Sequence, residues 1–234
     1  MTTLEPVQQS TSVRDAVLSR RSVRAFTAQP VDREIINRVL KAASRTPSGG
    51  NLQPWHTYVV AGTARDKLVS TVMERVESGD NGDDPEFAIY PPKLKSPYRE
   101  RRFGTGDQLY SSLGIPREDP VARKNWFALN WQFFGAPVGL FTYIDRTMGS
   151  AQWSDIGMYM QTVMLLLVEE GLASCPQESW SQYHASVDSI ISPPNDLMLF
   201  CGMSIGYEDT DSSGDLYIDR VGVDETTTFL GWDS

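Results

Sequence analysis

Thr46-Pro47-Ser48-Gly49-Gly50-Asn51-Leu52-Gln53-Pro54-Trp55-His56 stands between a helical pattern and a strand pattern. Its adjacent glycines let a ligand approach the backbone closely. Asn51 and Gln53 can each donate and accept a hydrogen bond, which suits the edge of a heterocycle. A plain helix-to-strand turn would need only the Pro and Gly residues. Upstream, Asp32 is placed to cap a helix in which Ile35, Ile36, Val39, Leu40 and Ala43 follow helical spacing. Downstream, Thr57-Tyr58-Val59-Val60-Ala61 has the β-branched and aromatic content of a strand. Thr63 is then a candidate cap for a helix carrying Leu68, Val69, Val72, Met73 and Val76.

Further out, Ser12 is expected to cap a short helix with Val13, Ala16 and Val17 on one face. That helix runs into Arg20-Arg21-Ser22-Val23-Arg24. Arg offers a planar fork of donors that matches phosphate oxygens, and Ser22 adds a hydroxyl. The same cations also suit the C-terminal end of a helix with no ligand at all. From Ser78 to about Asn125 the chain is dense in Gly, Pro, Asp and Arg and weak in periodicity, as in a lid-like insertion, with a short helix around Tyr98 to Arg102. Val138 to Ile144 reads as a buried strand, Ser154 to Glu170 as a helix apolar on most sides, and Leu197 to Gly206 as the last long strand. Ser174-Cys175-Pro176-Gln177-Glu178-Ser179-Trp180 reads as a loop after the long helix, able to present backbone N–H groups to a ring or simply to end the helix. Few strands among many helices predict an α+β sandwich around a small sheet. The expected organisation is a flexible stretch 1–12 followed by a single domain over 13–234, with the insertion at about 78–125.

Composition narrows the function classes. Lys plus Arg number 21 and Asp plus Glu 30, so the net charge is −9, and a nucleic-acid partner is not expected. The longest apolar run, Val163 to Val168, is far too short to span a bilayer, and Met1 to Ser12 has no leader-like pattern. A cytoplasmic protein without membrane attachment is therefore expected. Cys175 and Cys201 are too few for a disulfide framework, and His56 and His184 lack metal-site spacing. Gly202-Met203-Ser204-Ile205-Gly206 matches the nucleophile-elbow pattern, but no His follows Ser204, so a packed strand is expected instead. Asp209-Thr210-Asp211-Ser212-Ser213-Gly214 resembles the front of a calcium loop but carries Arg220 where a bidentate Glu belongs. Gly104-Thr105-Gly106 lacks the third Gly and the preceding strand of a dinucleotide fingerprint.

Arg20-Arg21-Ser22-Val23-Arg24, then Pro47-Ser48-Gly49-Gly50-Asn51-Leu52-Gln53-Pro54-Trp55, then Gly171-Leu172-Ala173-Ser174-Cys175-Pro176-Gln177 together resemble the FMN-dependent nitroreductase family. The resemblance runs from about Val13 to Asp224. It implies an α+β sandwich with a small mixed sheet flanked by helices, and an intertwined homodimer with FMN at the interface. It implies that Arg20, Arg21, Ser22 and Arg24 hold the phosphate and ribityl chain. Pro47, Ser48 and Gly49 would line the flavin of the other subunit, and Asn51 would reach the ring edge. Pro176, Gln177 and Glu178 would lie along the ring, chiefly through main chain. The family adds a basic residue near the C-terminus, for which Gly214-Asp215-Leu216-Tyr217-Ile218-Asp219-Arg220 offers Arg220.

The activity implied is transfer of two electrons from NAD(P)H through FMN to a nitroaromatic, a quinone or a similar electron-poor acceptor, with no catalytic side chain. Tyr90-Pro91 and Pro97-Tyr98-Arg99-Glu100-Arg101-Arg102 are similar to the nitrobenzoate-reductase branch. There Arg99, Arg101 or Arg102 would meet a substrate carboxylate while Tyr98 or Phe103 packs on its ring. The same arginines also fit a solvated helix face. Three alternatives stay open at this point: an FMN-dependent reductive dehalogenase, a flavin-consuming enzyme of the same fold, and a flavin-binding or sensing protein without useful turnover.

Overall fold

A computed structural model of the chain describes residues 12–212 and 218–232. The polar stretch 1–11, the whole Gly214 to Tyr217 approach to Arg220, and the end of the calcium-like loop lie outside the described residues.

Among the described residues, seven α-helices and four strands follow in the order α1 (Val13–Ser19), α2 (Arg33–Ala43), β1 (His56–Ala61), α3 (Gly62–Glu77), α4 (Tyr98–Ser112), α5 (Pro120–Ala128), β2 (Val138–Asp145), α6 (Ser150–Glu169), β3 (Ala173–Gln177), α7 (His184–Ile191) and β4 (Leu197–Gly206). The strands form one sheet in the order β1-β2-β4-β3, and each neighbouring pair is antiparallel. The parallel character expected of the sheet is confined to an isolated bridge between Ser22 and Ser174, beside which the Val23 N–H donates to Ser174 O at 3.1 Å. The arginine segment thus runs along the free edge of β3.

Both faces of the sheet are covered. On one, Leu68, Val72 and Val76 of α3, Val187 of α7 and Trp131, Phe133 and Phe134 of a 3-10 turn (Leu129–Gly135) pack on Phe141 and Leu199. On the other, Ile36 and Val39 of α2 and Ile156, Val163 and Leu167 of α6 pack on Leu140 and Met203. Two-sided cover explains why β2 and β4 read as continuous apolar runs rather than alternating ones.

Several boundaries differ from the sequence expectation, each for a local reason. Asp32 caps α2 and Ser12 caps α1 as expected. Helix α3 begins at Gly62 without a side-chain cap, so Thr63 lies inside it. Helix α6 begins at Ser150, four residues earlier than expected from 154, because the Gln152 side chain accepts the otherwise orphaned Gly149 N–H at 3.3 Å. Residues 174–177 form a strand rather than a loop. Pro176 is tolerated there because β3 is an edge strand, and its missing donor breaks no interior ladder.

The 78–125 stretch contains α4 and most of α5, and its root is tied down. Arg75 pairs with Asp80 at 2.7 Å and Asp83 at 2.8 Å, and Asp83 also accepts the Ala185 N–H at the start of α7, at 2.8 Å. Most of the apolar circumference of α6 is covered inside the chain. Ile156, Tyr159, Met160, Val163, Met164 and Leu167 are buried, and Met158 is exposed.

Candidate active site

The arginine segment is extended, so its side chains alternate. Val23 enters the core, and Arg21 forms a largely buried ion pair with Glu208. Period-two alternation places Arg20, Ser22 and Arg24 on the other side. The Arg24 guanidinium donates to Ser22 O at 3.1 Å, and Arg24 lines an open cavity of about 370 Å³ with Arg65, Leu129, Gln132 and Asp209.

Arg20 is brought close to Arg220, 200 positions later in the chain. Partial burial lowers the Arg20 pKa, and the positive charge of Arg220 lowers it further. A partly buried Arg20 that feels a second cation, in a protein of net charge −9, is a place where an anion would be favoured. This donor set suits a phosphate group.

Beside this segment, β3 delivers Pro176, Gln177 and Glu178. The Gln177 side chain is 2% exposed and fully engaged. Its Oε1 accepts from Ser204 Oγ at 2.6 Å and from Trp180 Nε1 at 3.3 Å, and its Nε2 donates to Asn130 O at 2.6 Å. Gln177 therefore has only its main chain to offer a ligand. Ser204, the elbow-like serine, is a structural hydroxyl within this network. Glu178 is accessible to solvent, yet protein packed around its carboxyl raises its pKa.

The Pro47 to Gln53 turn is mounted on a different support. The Gly49 N–H points at both carboxylate oxygens of Asp155 on α6, at 3.3 and 3.2 Å. Asn51 and Gln53 adopt left-handed φ angles of 58° and 50°, and Gln53 N–H donates to Ser48 Oγ at 2.9 Å. Asn51, Leu52 and Gln53 are exposed. A single chain thus brings Arg20 and Ser22 to the β3 edge, and it holds Pro47, Ser48, Gly49 and Asn51 on the first half of α6.

The α4 residues form a third group. Tyr98 and Phe103 are 60% and 55% exposed. Arg99 pairs with its neighbour Glu100 at 3.3 Å, Arg101 with Glu225 at 3.6 Å, and Arg102 lies 3.9 Å over the Tyr90 ring. Sequence reasoning missed Asp155, Glu208 and Asn130. Each acts through a contact distant in sequence, and no local pattern marks it.

Among the described residues no cluster of potential metal ligands occurs and no helix is long and apolar enough to cross a membrane. Residues 17–207 match the Nitroreductase family, and the chain belongs to that family. It is 34% identical over 219 residues to the nitrobenzene nitroreductase of Ectopseudomonas oleovorans, covering 93% of this chain and 96% of that one. It is likewise 34% identical over 221 residues to the 4-nitrobenzoate reductase of Pseudomonas putida, covering 94% and 96%. Among solved structures, the FMN and NADPH-dependent nitroreductase NfnB from sphigopyxis sp. strain HMH is similar with a TM-score of 0.91 and 47% identity. That match covers 94% of this chain and 100% of that one.

Proposed function

We propose that this protein is an FMN-dependent oxidoreductase that takes two electrons from NAD(P)H and passes them to a nitroaromatic, quinone or similar acceptor. The observation that carries this reading is the docking of the Arg20 to Arg24 segment along the β3 edge, with Val23 N–H donating to Ser174 O at 3.1 Å, which sets its cations beside Pro176 to Glu178. Bound FMN would supply the redox chemistry, accepting a hydride and returning two electrons.

The chain's own part is binding and orientation. Arg20, Ser22 and Arg220 would hold the phosphate, with Arg24 nearby. The main chain of Pro176, Gln177 and Glu178 would line the ring, kept rigid by the buried Gln177 network. On α4, the Arg99–Glu100 pair is exposed on both sides and therefore weak, so Arg99 is the residue best able to turn to a substrate carboxylate. Tyr98 and Phe103 would offer ring surfaces beside it.

A homodimer fits the same reading. The exposed apolar surface lies less on α6 than on Val13, Val17 and Leu18 of α1 and on Phe229, Leu230 and Trp232 near the C-terminus. Exposed apolar side chains of this kind fit a protein contact. A second copy would also bring its Pro47 to Asn51 turn to this copy's arginines. Light scattering at micromolar concentration should give about twice the 26.1 kDa chain mass. A folded, FMN-loaded monomer would sink the shared-site arrangement.

The central test is spectroscopic. The purified protein, reconstituted with FMN, should bleach under anaerobic NADH or NADPH and recover its yellow colour when 4-nitrobenzoate or 4-nitrobenzamide is added. Flavin that binds but is never bleached identifies a binding-only protein. Arg99→Ala should slow recovery with the acid and spare the amide. Equal rates for both acceptors in that variant would return α4 to a solvated face.

A further inference from the structure

Asp155 is a buried carboxylate, 4% exposed, on a helix whose neighbouring face is apolar. Among the described residues its hydrogen-bond partner is the Gly49 N–H. Burying a carboxylate with so few donors is costly, so its retention needs a reason. One turn further along α6, Tyr159 stacks on Trp55, with ring centroids 4.7 Å apart and planes 8° apart. Residues four apart share a helix face, so one face of α6 grips both ends of the 49–55 segment.

Between those grips the backbone is strained. Gly50, Asn51 and Gln53 have φ values of 57°, 58° and 50°, a region that non-glycine residues enter at a cost. The turn's internal bonds, Asn51 N–H to Ser48 O at 2.9 Å and Leu52 N–H to Gly49 O at 3.1 Å, close the loop on itself. They do not orient it against the rest of the molecule. The contacts from Asp155 and Tyr159 do.

We propose that Asp155, seconded by Tyr159, is the positioning residue that sets how the Ser48–Asn51 turn faces the flavin. This rests on the flavoprotein reading given above. The device couples the interior of α6 to a turn that would serve the flavin of a second copy.

Asp155→Ala, Asp155→Asn and Tyr159→Leu provide the test, read first in the FMN-free protein by hydrogen–deuterium exchange over residues 47–55. Asp155→Ala should raise exchange there and leave the sheet protected. It should also weaken FMN binding, followed by fluorescence quenching, by about tenfold or more, the scale of one hydrogen bond to a charged group. At saturating FMN its visible circular dichroism should differ from wild type, which a merely structural loss would not produce. Asp155→Asn keeps an acceptor for the Gly49 N–H and should stay within about threefold of wild type, since the neutral acceptor forfeits only part of that interaction.

Unchanged exchange, affinity and dichroism in Asp155→Ala would overturn the proposal, as would a tenfold loss in Asp155→Asn. If Asp155→Ala does not fold, Tyr159→Leu decides: it must loosen residues 47–55 and weaken FMN binding with the far-ultraviolet spectrum intact, and wild-type behaviour overturns the assignment. Absence of FMN binding by the wild type would overturn the flavoprotein reading itself, whereas wild-type FMN binding with an indifferent Asp155→Ala overturns this inference alone.

Discussion

Arg20→Ala is expected to weaken FMN binding by roughly 10- to 150-fold, from the 1.5–3 kcal/mol of a hydrogen bond to a charged group. Arg20 is partly buried, and burial already lowers its pKa, so its charge is poorly screened. Arg220→Ala should act in the same direction on FMN, since under the proposed site both cations would face one anion. Without FMN the two arginines repel, so Arg220→Ala should leave the FMN-free protein as stable as wild type or slightly more stable. That opposition of affinity and stability is the signature of a binding site rather than a structural cluster. Isothermal titration with FMN, beside thermal unfolding without it, measures both. Wild-type affinity in both variants would remove the phosphate assignment.

Trp180→Ala should destabilise the fold by about 3–5 kcal/mol, the range for deleting a large buried aromatic side chain. Trp180 is fully buried and packs on Phe133 at 4.6 Å and Phe141 at 5.2 Å between ring centroids. It lies directly over Gly202, where an added Cβ would come within 2.4 Å of its Cδ1. The indole N–H also donates to Gln177 Oε1, so its loss would loosen the strand end that presents Gln177 and Glu178. Urea unfolding at fixed protein concentration, followed by circular dichroism, gives the value. A loss under about 1 kcal/mol would show that the cavity collapses freely, against the close packing seen here.

These two tryptophan and arginine sites also separate what local pattern can reveal from what it cannot. The caps at Ser12 and Asp32, the strands at β1, β2 and β4, and the helical stripe of α3 were legible because each depends on neighbours within a few residues. The early start of α6 was not, since it depends on the Gln152 side chain folding back on Gly149. Ser174 to Trp180 reads as a loop because it follows the end of the long helix, and only the sheet order shows that residues 173–177 form an edge strand, where Pro176 is tolerated. The sequence reads α6 as apolar on most sides, and only packing shows that the chain's own α2 and sheet cover most of that surface.

Within the site, the sequence by itself determined the residue types: arginines and a serine in one short segment, a Gly-Gly-Asn turn, and a Pro-Gln-Glu run after a long helix. Those short-range patterns carry the family resemblance and the anion and ring chemistry, because donor type and backbone freedom are properties of the residues themselves. Tertiary structure alone decided which arginine faces which charge. Arg21 and Arg20 are adjacent in sequence, yet one is tied to Glu208 and the other is set against Arg220. It also decided that Gln177 turns its side chain inward to Ser204 and Asn130, and that Asp155 and Tyr159 hold the turn. Each of those outcomes depends on groups brought together by packing from tens to hundreds of residues apart, and Coulomb and hydrogen-bond energies depend on that separation in space, not on separation along the chain.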